Sequence, residues 1–181
     1  NRIQDELRTI EKNASEAKKL EWTPGASGQK PVHGIIVEGI DNCLVKFSHC
    51  CMPVPGDEIV GFITRGFGVS IHRTDCKNYT AGVINEETKN RWIRVAWAGD
   101  RDERYQTGIA ITANDRDGLV MDIATVLTAL KVRVTGLTAR DTGGVATVYI
   151  TIEVMDRNEL SIAMTKLMAV RSVKEVKRQG T

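Results

Sequence analysis

The apolar residues of this chain keep three different rhythms. Over residues 1–22, Ile3, Leu7, Ile10, Ala14, Ala17 and Leu20 recur at steps of three and four, the spacing of one face of an α-helix. No Pro or Gly interrupts them, and the charges between them balance, five acidic and five basic from Arg2 to Glu21. This segment reads as a helix from the end of a preceding helical domain. Residues 23–34 (TPGASGQKPVHG) lose all periodicity and carry Pro24, Gly25, Gly28, Pro31 and Gly34, the composition of a linker.

From residue 35 to 98 the apolar runs become short. Ile35, Val37 and Ile40 start one strand, and Leu44, Val45 and Phe47 give another. Met52-Pro53-Val54-Pro55 is a stiff extended connection, because each proline restricts itself and its predecessor. Asp57–Thr64, with β-branched Ile59, Val60, Ile63 and Thr64, and Val69–Arg73 read as the arms of a hairpin turning through residues 65–68. Asp75 is placed to cap a short helix over Cys76–Tyr79. Arg91–Ala98 alternates, with Trp92, Arg94 and Ala96 on one face and Ile93, Val95 and Trp97 on the other.

Residues 99–105 (GDRDERY) form a charged connector, and a third rhythm follows over 106–179. Ile109, Ile111 and Ala113 alternate as a strand, and Leu119, Ile123, Val126, Leu127 and Leu130 form a helical stripe. Val132, Val134 and Leu137 begin a second strand, which turns at 141–144 into sustained alternation over Val145–Val154. Asp156 with Glu159 makes a capping box before the stripe Leu160, Met164, Leu167 and Met168, and Val173 and Val176 mark a last strand. The order is βαββαβ, the ferredoxin-like arrangement. The expected fold class is α+β: a small Cys/His-bearing α/β domain with a β-hairpin, then a ferredoxin-like domain.

Composition narrows the function classes. Of 181 residues, 41% are hydrophobic and 27% charged, with a net charge of +2, so nucleic-acid contact would need a local patch rather than a global field. No apolar run approaches the roughly 20 residues a membrane span requires. The chain opens on Asn1 rather than Met, which suggests a piece of a longer protein. The cysteines, two of them adjacent and lying beside histidines, look like a reduced set rather than a secreted disulfide frame.

Chemistry concentrates in HCCMPVPGDEIVGFITRGFGVSIHRTDC, residues 49–76. Closing the hairpin brings Cys50 and Cys51 toward His72 and Cys76, three thiolates and an imidazole of the kind Zn²⁺ takes. Adjacent cysteines in a strand point to opposite faces, so a shared ion requires a bend at Cys51-Met52. Buried structural thiols and a redox pair of Cys76 with Cys50 or Cys51 are the other readings of this set. His49 and Asp75 are spare candidates, and Cys43 lies outside the hairpin. A second candidate is the loop Asn114, Asp115, Gly118, Leu119 and Val120, which runs into a helix N-terminus suited to an amino-acid carboxylate; plain capping by Asp115 or Asp117 is the alternative. Arg65, Arg73, Lys77, Arg91 and Arg94, with Phe67 on the hairpin tip, form a basic set suited to RNA phosphates, or to solvent alone. No Ser–His–acid set, no phosphate loop and no carboxylate pair in an apolar pocket is apparent.

The run over residues 49–76, with GIIVEGIDNCLVKF before it, resembles the regulatory half of the long Rel/SpoT-type (p)ppGpp synthetases and hydrolases of bacteria. ITANDRDGLVMDIATVL and YITIEVMD are similar to the ACT domain of that family. The resemblance covers residues 33–179. It implies that Cys50, Cys51, His72 and Cys76 fall on the ligand motif of a zinc-finger-like domain. It also implies that the parent is a cytoplasmic GTP pyrophosphokinase of the stringent response whose catalytic domains lie upstream. These two domains would then couple ribosomal RNA and uncharged tRNA to the distant active sites. A branched-chain amino acid on the ACT domain and a homodimer are further expectations. The rival functions are an ACT effector module of a biosynthetic enzyme and a redox-sensing interaction module.

Overall fold

The structure, a computed structural model, describes residues 23–24, 28, 30–66, 68–99 and 102–180. The helix expected over 1–22 and the tip residue Phe67 lie outside the described residues.

The first domain is built on a five-stranded sheet in the order β1-β5-β3-β4-β2. Its strands are β1 (Ile35–Val37), β2 (Leu44–Phe47), β3 (Ile59–Ile63), β4 (Gly68–Arg73) and β5 (Trp92–Trp97). The hairpin β3–β4 pairs Ile59 with Arg73 and Ile63 with Val69, while β2 joins the far side of β4 in parallel. Alternation sorts the two faces. Ile71, Val69, Val95, Val45, Ile35 and Val37 are buried on one of them. Gly61 sits there because a Cβ would come within 2.7–2.9 Å of Val69, Val95 and Ile93; only glycine lets three β-branched side chains close over that point.

The opposite face carries Phe62, Ser70, His72 and Trp92, and a short helix α1 (Lys77–Gly82) lies on it. Trp92 anchors that helix, with ring centroids 4.9 Å from Tyr79, 4.7 Å from Phe62 and 5.5 Å from His72. The expected Asp75 cap does not form. The N-cap of α1 is Cys76, with no side-chain cap, because the Asp75 carboxylate is taken by Arg73.

The second domain has the expected βαββαβ order. Its elements are β6 (Tyr105–Asn114), α2 (Leu119–Ala129), β7 (Arg133–Thr142), β8 (Val145–Val154), α3 (Arg157–Met168) and β9 (Val173–Arg178), and the sheet order is β7-β8-β6-β9. Ile109, Ile111, Val148, Ile150 and Ile152 from the sheet meet Leu119, Ile123, Leu127, Leu160 and Leu167 from the helices in one core. The capping box at α3 is present: Asp156 accepts from Glu159 N at 2.8 Å, and Glu159 accepts from Met155 N at 2.6 Å.

The two domains share apolar packing. Val54, 0% exposed, inserts from the first domain into the core of the second; across the junction Phe47 stacks on Trp97 and Tyr105 meets both rings edge-on, with centroids 5.6–5.7 Å apart. Arg178 of β9 reaches back to Asp57 at 2.6 and 2.9 Å. Asp57 ends a turn, so β3 begins at Ile59 rather than at Asp57. The Asp57 carboxylate also accepts from Val54 N at 2.8 Å, which holds residues 54–57 as a turn.

Candidate metal centre

The strand β2 stops at Phe47, and the chain then turns tightly. Met52 N donates to Ser48 O at 2.9 Å, and Met52 takes φ +44°. That left-handed residue supplies the bend that two adjacent cysteines need. Because Cys50 and Cys51 lie in a turn rather than a strand, their side chains do not diverge, and both sulfurs face the end of β4. His72 comes from β4, and Cys76 follows four residues later at the start of α1.

The ligand atoms of Cys50, Cys51, His72 and Cys76 all lie within 4.8 Å of one another. His72 Nδ1 is 3.3 Å from Cys50 Sγ, 3.8 Å from Cys76 Sγ and 3.9 Å from Cys51 Sγ, and the Cys50 and Cys76 sulfurs are 3.6 Å apart. A tetrahedral ion with Zn–S bonds of about 2.3 Å and a Zn–N bond of about 2.0 Å needs ligand–ligand edges of roughly 3.5–3.8 Å. The side chains therefore fit one such ion. The four separations just given lie within a few tenths of an ångström of those edges.

The surroundings suit the same chemistry. Cys51 and Cys76 are 1% exposed, His72 8% and Cys50 half-buried, so a bound ion would be largely closed off, as in structural sites. Burial pushes the Cys50 and Cys51 thiols up, Cys51 strongly, and pulls His72 down. Burial thus favours the neutral imidazole and the protonated thiols, so metal uptake must displace protons from Cys50 and Cys51. With Nδ1 aimed at the sulfurs, the His72 proton belongs on Nε2, where it donates to Ser48 Oγ at 2.8 Å; the Ser48 and Ser70 hydroxyls hydrogen-bond to each other at 2.6 Å. Arg73 N lies 3.4 Å from Cys51 Sγ, and its Nη1 donates to Cys51 O at 3.3 Å. Ser48, Ser70 and the Arg73 backbone escaped the sequence reading, because nothing in their spacing marks a partner on another strand. Of the spare candidates, His49 is exposed outside the cluster. Asp75 pairs with Arg73 Nε at 2.7 Å, and that guanidinium holds its carboxyl below the usual carboxylate range. Cys43 packs partly buried against the first-domain core.

The basic set divides. Arg73 is 2% exposed and its side chain belongs to Asp75 and Cys51; because β4 alternation turns it away from the His72 face, it is not placed to meet a phosphate. Arg65 and Lys77 are exposed. Arg91 lies 4.5 Å over the Phe62 ring and donates to Ile63 O, near the hairpin tip. Arg94 is exposed and donates to Glu38 at 2.7 Å.

The loop at α2 opens on Gly118, with φ +76° and no side-chain cap, so neither Asp115 nor Asp117 fills the helix N-terminus. Asn114 N and Asp115 N are already bonded to Ser172 O and Gly144 O, and Leu119 N lies 3.3 Å from Arg116 O. Leu119 itself is buried in the core, while Val120 is exposed. A cleft of about 470 Å³ runs from Asp115–Met121 to Ala139–Asp141.

Comparison with known proteins places these features. Residues 35–98 match the RelA/SpoT RIS domain, and residues 101–178 match an ACT domain. Among curated proteins the chain is 36% identical to the GTP pyrophosphokinase of Escherichia coli over 93% of its own length and 23% of that protein. It is 38% identical to the GTP pyrophosphokinase of Haemophilus influenzae over 80% of its own length and 19% of that protein. It thus spans less than a quarter of the length of these relatives. Among solved structures it is similar to the ACT domain of the Chlorobium tepidum GTP pyrophosphokinase, with 25% identity, a TM-score of 0.39, and 42% of this chain and 99% of that one covered.

Proposed function

This chain belongs to the RelA/SpoT family as its regulatory RIS and ACT portion, and from that premise we propose that it is a zinc-braced sensor working in the cytoplasm on the ribosome. The matched domains are the regulatory ones, so the work of this segment is control rather than bond-making. In this reading Cys50, Cys51, His72 and Cys76 hold one Zn²⁺. The ion would supply no reaction step, only cross-linking of the Cys50–Cys51 turn, β4 and α1 into a fixed surface.

That surface presents Arg65, Lys77 and Arg91, which would contact ribosomal RNA beside uncharged tRNA. The ACT loop would take a branched-chain amino acid, its carboxylate toward the backbone N–H groups of residues 118–120. Together they would bias the parent enzyme between alarmone synthesis and hydrolysis. The observation that carries the reading is the convergence of three thiols and an Nδ1-directed imidazole, all but Cys50 of them buried. A redox pair would need only the Cys50 and Cys76 sulfurs and leaves the aim of His72 unexplained.

Ribosome sedimentation tests the RNA part. With a net charge of +2 the attraction must act at short range. A few phosphate contacts give a log–log salt slope of roughly −2 to −4. Arg65→Ala with Lys77→Ala, in protein shown to retain its metal, should weaken association and flatten that slope. Equal binding at every salt concentration would assign these cations to solvent.

A further inference from the structure

We infer that the ACT domain completes the metal centre of the RIS domain: Arg178, on the last ACT strand, is a positioning residue for the turn that carries Cys50 and Cys51. The inference rests on the metal reading above and adds to it a coupling between domains.

The turn is held against its own backbone preference. Met52 at φ +44° is in a region that side chains other than glycine rarely adopt, and such a residue persists only where its surroundings over-determine it. Two guanidinium groups hold the turn's carbonyls. Arg73 of the first domain donates to Cys51 O at 3.3 Å, and Arg178 of the second donates to the next carbonyl, Met52 O, at 3.1 Å. Arg178 is fixed for this by the Asp57 carboxylate at 2.6 and 2.9 Å, in a pair whose side chains are 13% and 4% exposed.

Between these contacts runs the strap Met52–Asp57, and the second domain grips it along its length. Val54 is 0% exposed in the ACT core. Pro55 O accepts from Arg157 N, the first residue of α3, at 2.8 Å. Beyond β9 the chain passes so close over the metal turn that a Cβ on Gly180 would lie 2.0 Å from Cys50 O. The residues gripped by the ACT domain, Met52, Val54, Pro55 and Asp57, thus lie one to six residues along the chain from Cys51. An ion that fixes the turn must favour the docked ACT domain, and by linkage the docked domain must favour the ion by the same factor.

The experiment uses the whole 181-residue chain and Zn²⁺, in competition with a chromophoric chelator. Two variants are compared with the parent. Arg178→Gln strands the buried Asp57 charge. Asp57→Asn with Arg178→Gln strands none and keeps an acceptor for Val54 N, so it guards against simple misfolding. Both should bind Zn²⁺ about ten-fold or more weakly, the usual effect of removing a group that orients metal ligands. The reverse direction is read on the unmutated protein by amide hydrogen exchange. Stripping the metal should speed exchange in residues 52–57 and in β9 while leaving the β7–β8 hairpin protected. Folded variants that bind Zn²⁺ within about two-fold of the parent, or a β9 whose exchange ignores the metal, would overturn the coupling alone. A parent chain that binds no Zn²⁺ would instead remove the metal reading on which it rests.

Discussion

His72 reaches the sulfurs with Nδ1 only because its other nitrogen has somewhere to put a proton. The Nε2–H donates to Ser48 Oγ at 2.8 Å, and the Ser48 and Ser70 hydroxyls hydrogen-bond to each other at 2.6 Å. Groups that orient a metal-bound imidazole are commonly worth ~10–100-fold in affinity. Ser48→Ala should therefore weaken Zn²⁺ binding by about ten-fold without unfolding the domain, measured by chelator competition and circular dichroism; unchanged affinity would mean that the tautomer is fixed some other way. At this scale the sequence was partly readable. Thiols and imidazoles announce themselves by type, and a hairpin between them made their convergence a fair expectation. Ser48 carries no such mark, since a serine has many uses and its partner lies 24 residues away. Arg73 misled for the opposite reason: a cation beside a turn reads as surface, yet strand alternation buries it against Cys51 and Asp75.

Among elements, the ACT strands and helices were legible because long periodic segments leave little choice: every second residue of the ten in β8 is buried, and those between are exposed or half-buried. The first-domain sheet was harder. Its strands are three to six residues long, and no local signal says that β2 joins β4 in parallel. Helix α2 shows what an element can add to a site. Its N-terminus is left without a side-chain cap at Gly118, beside the cleft facing Ala139–Asp141. If an amino-acid carboxylate fills that end, Gly118→Val should abolish binding, because a β-branched residue is strongly disfavoured at φ +76°. Titration calorimetry with millimolar valine is the measurement. Heat with the parent and none with the variant is expected, whereas no heat with the parent would leave the loop a purely structural turn.

For the molecule as a whole, what decides behaviour is the junction, and none of it was legible in advance. Asp57 and Arg178 are 121 residues apart, and the Phe47–Trp97–Tyr105 stack joins three separate strands. Periodicity reports what faces inward within an element; it carries no information about which domain supplies the cover. The result is two small domains with a shared apolar seam and a buried ion pair, an arrangement that transmits a change at one end to the other more readily than a flexible tether would.

All of this turns on whether the four convergent ligands hold an ion. The direct measurement is elemental analysis of the chain purified under reducing conditions, followed by metal removal and thermal unfolding. About one Zn²⁺ per chain is predicted, as one tetrahedral set of four ligands can hold. Its removal, or Cys51→Ser or Cys76→Ser, should destabilise the first domain while the ACT fold persists. A metal-free preparation that unfolds with full cooperative stability and whose cysteines titrate as freely reactive thiols would contradict the account.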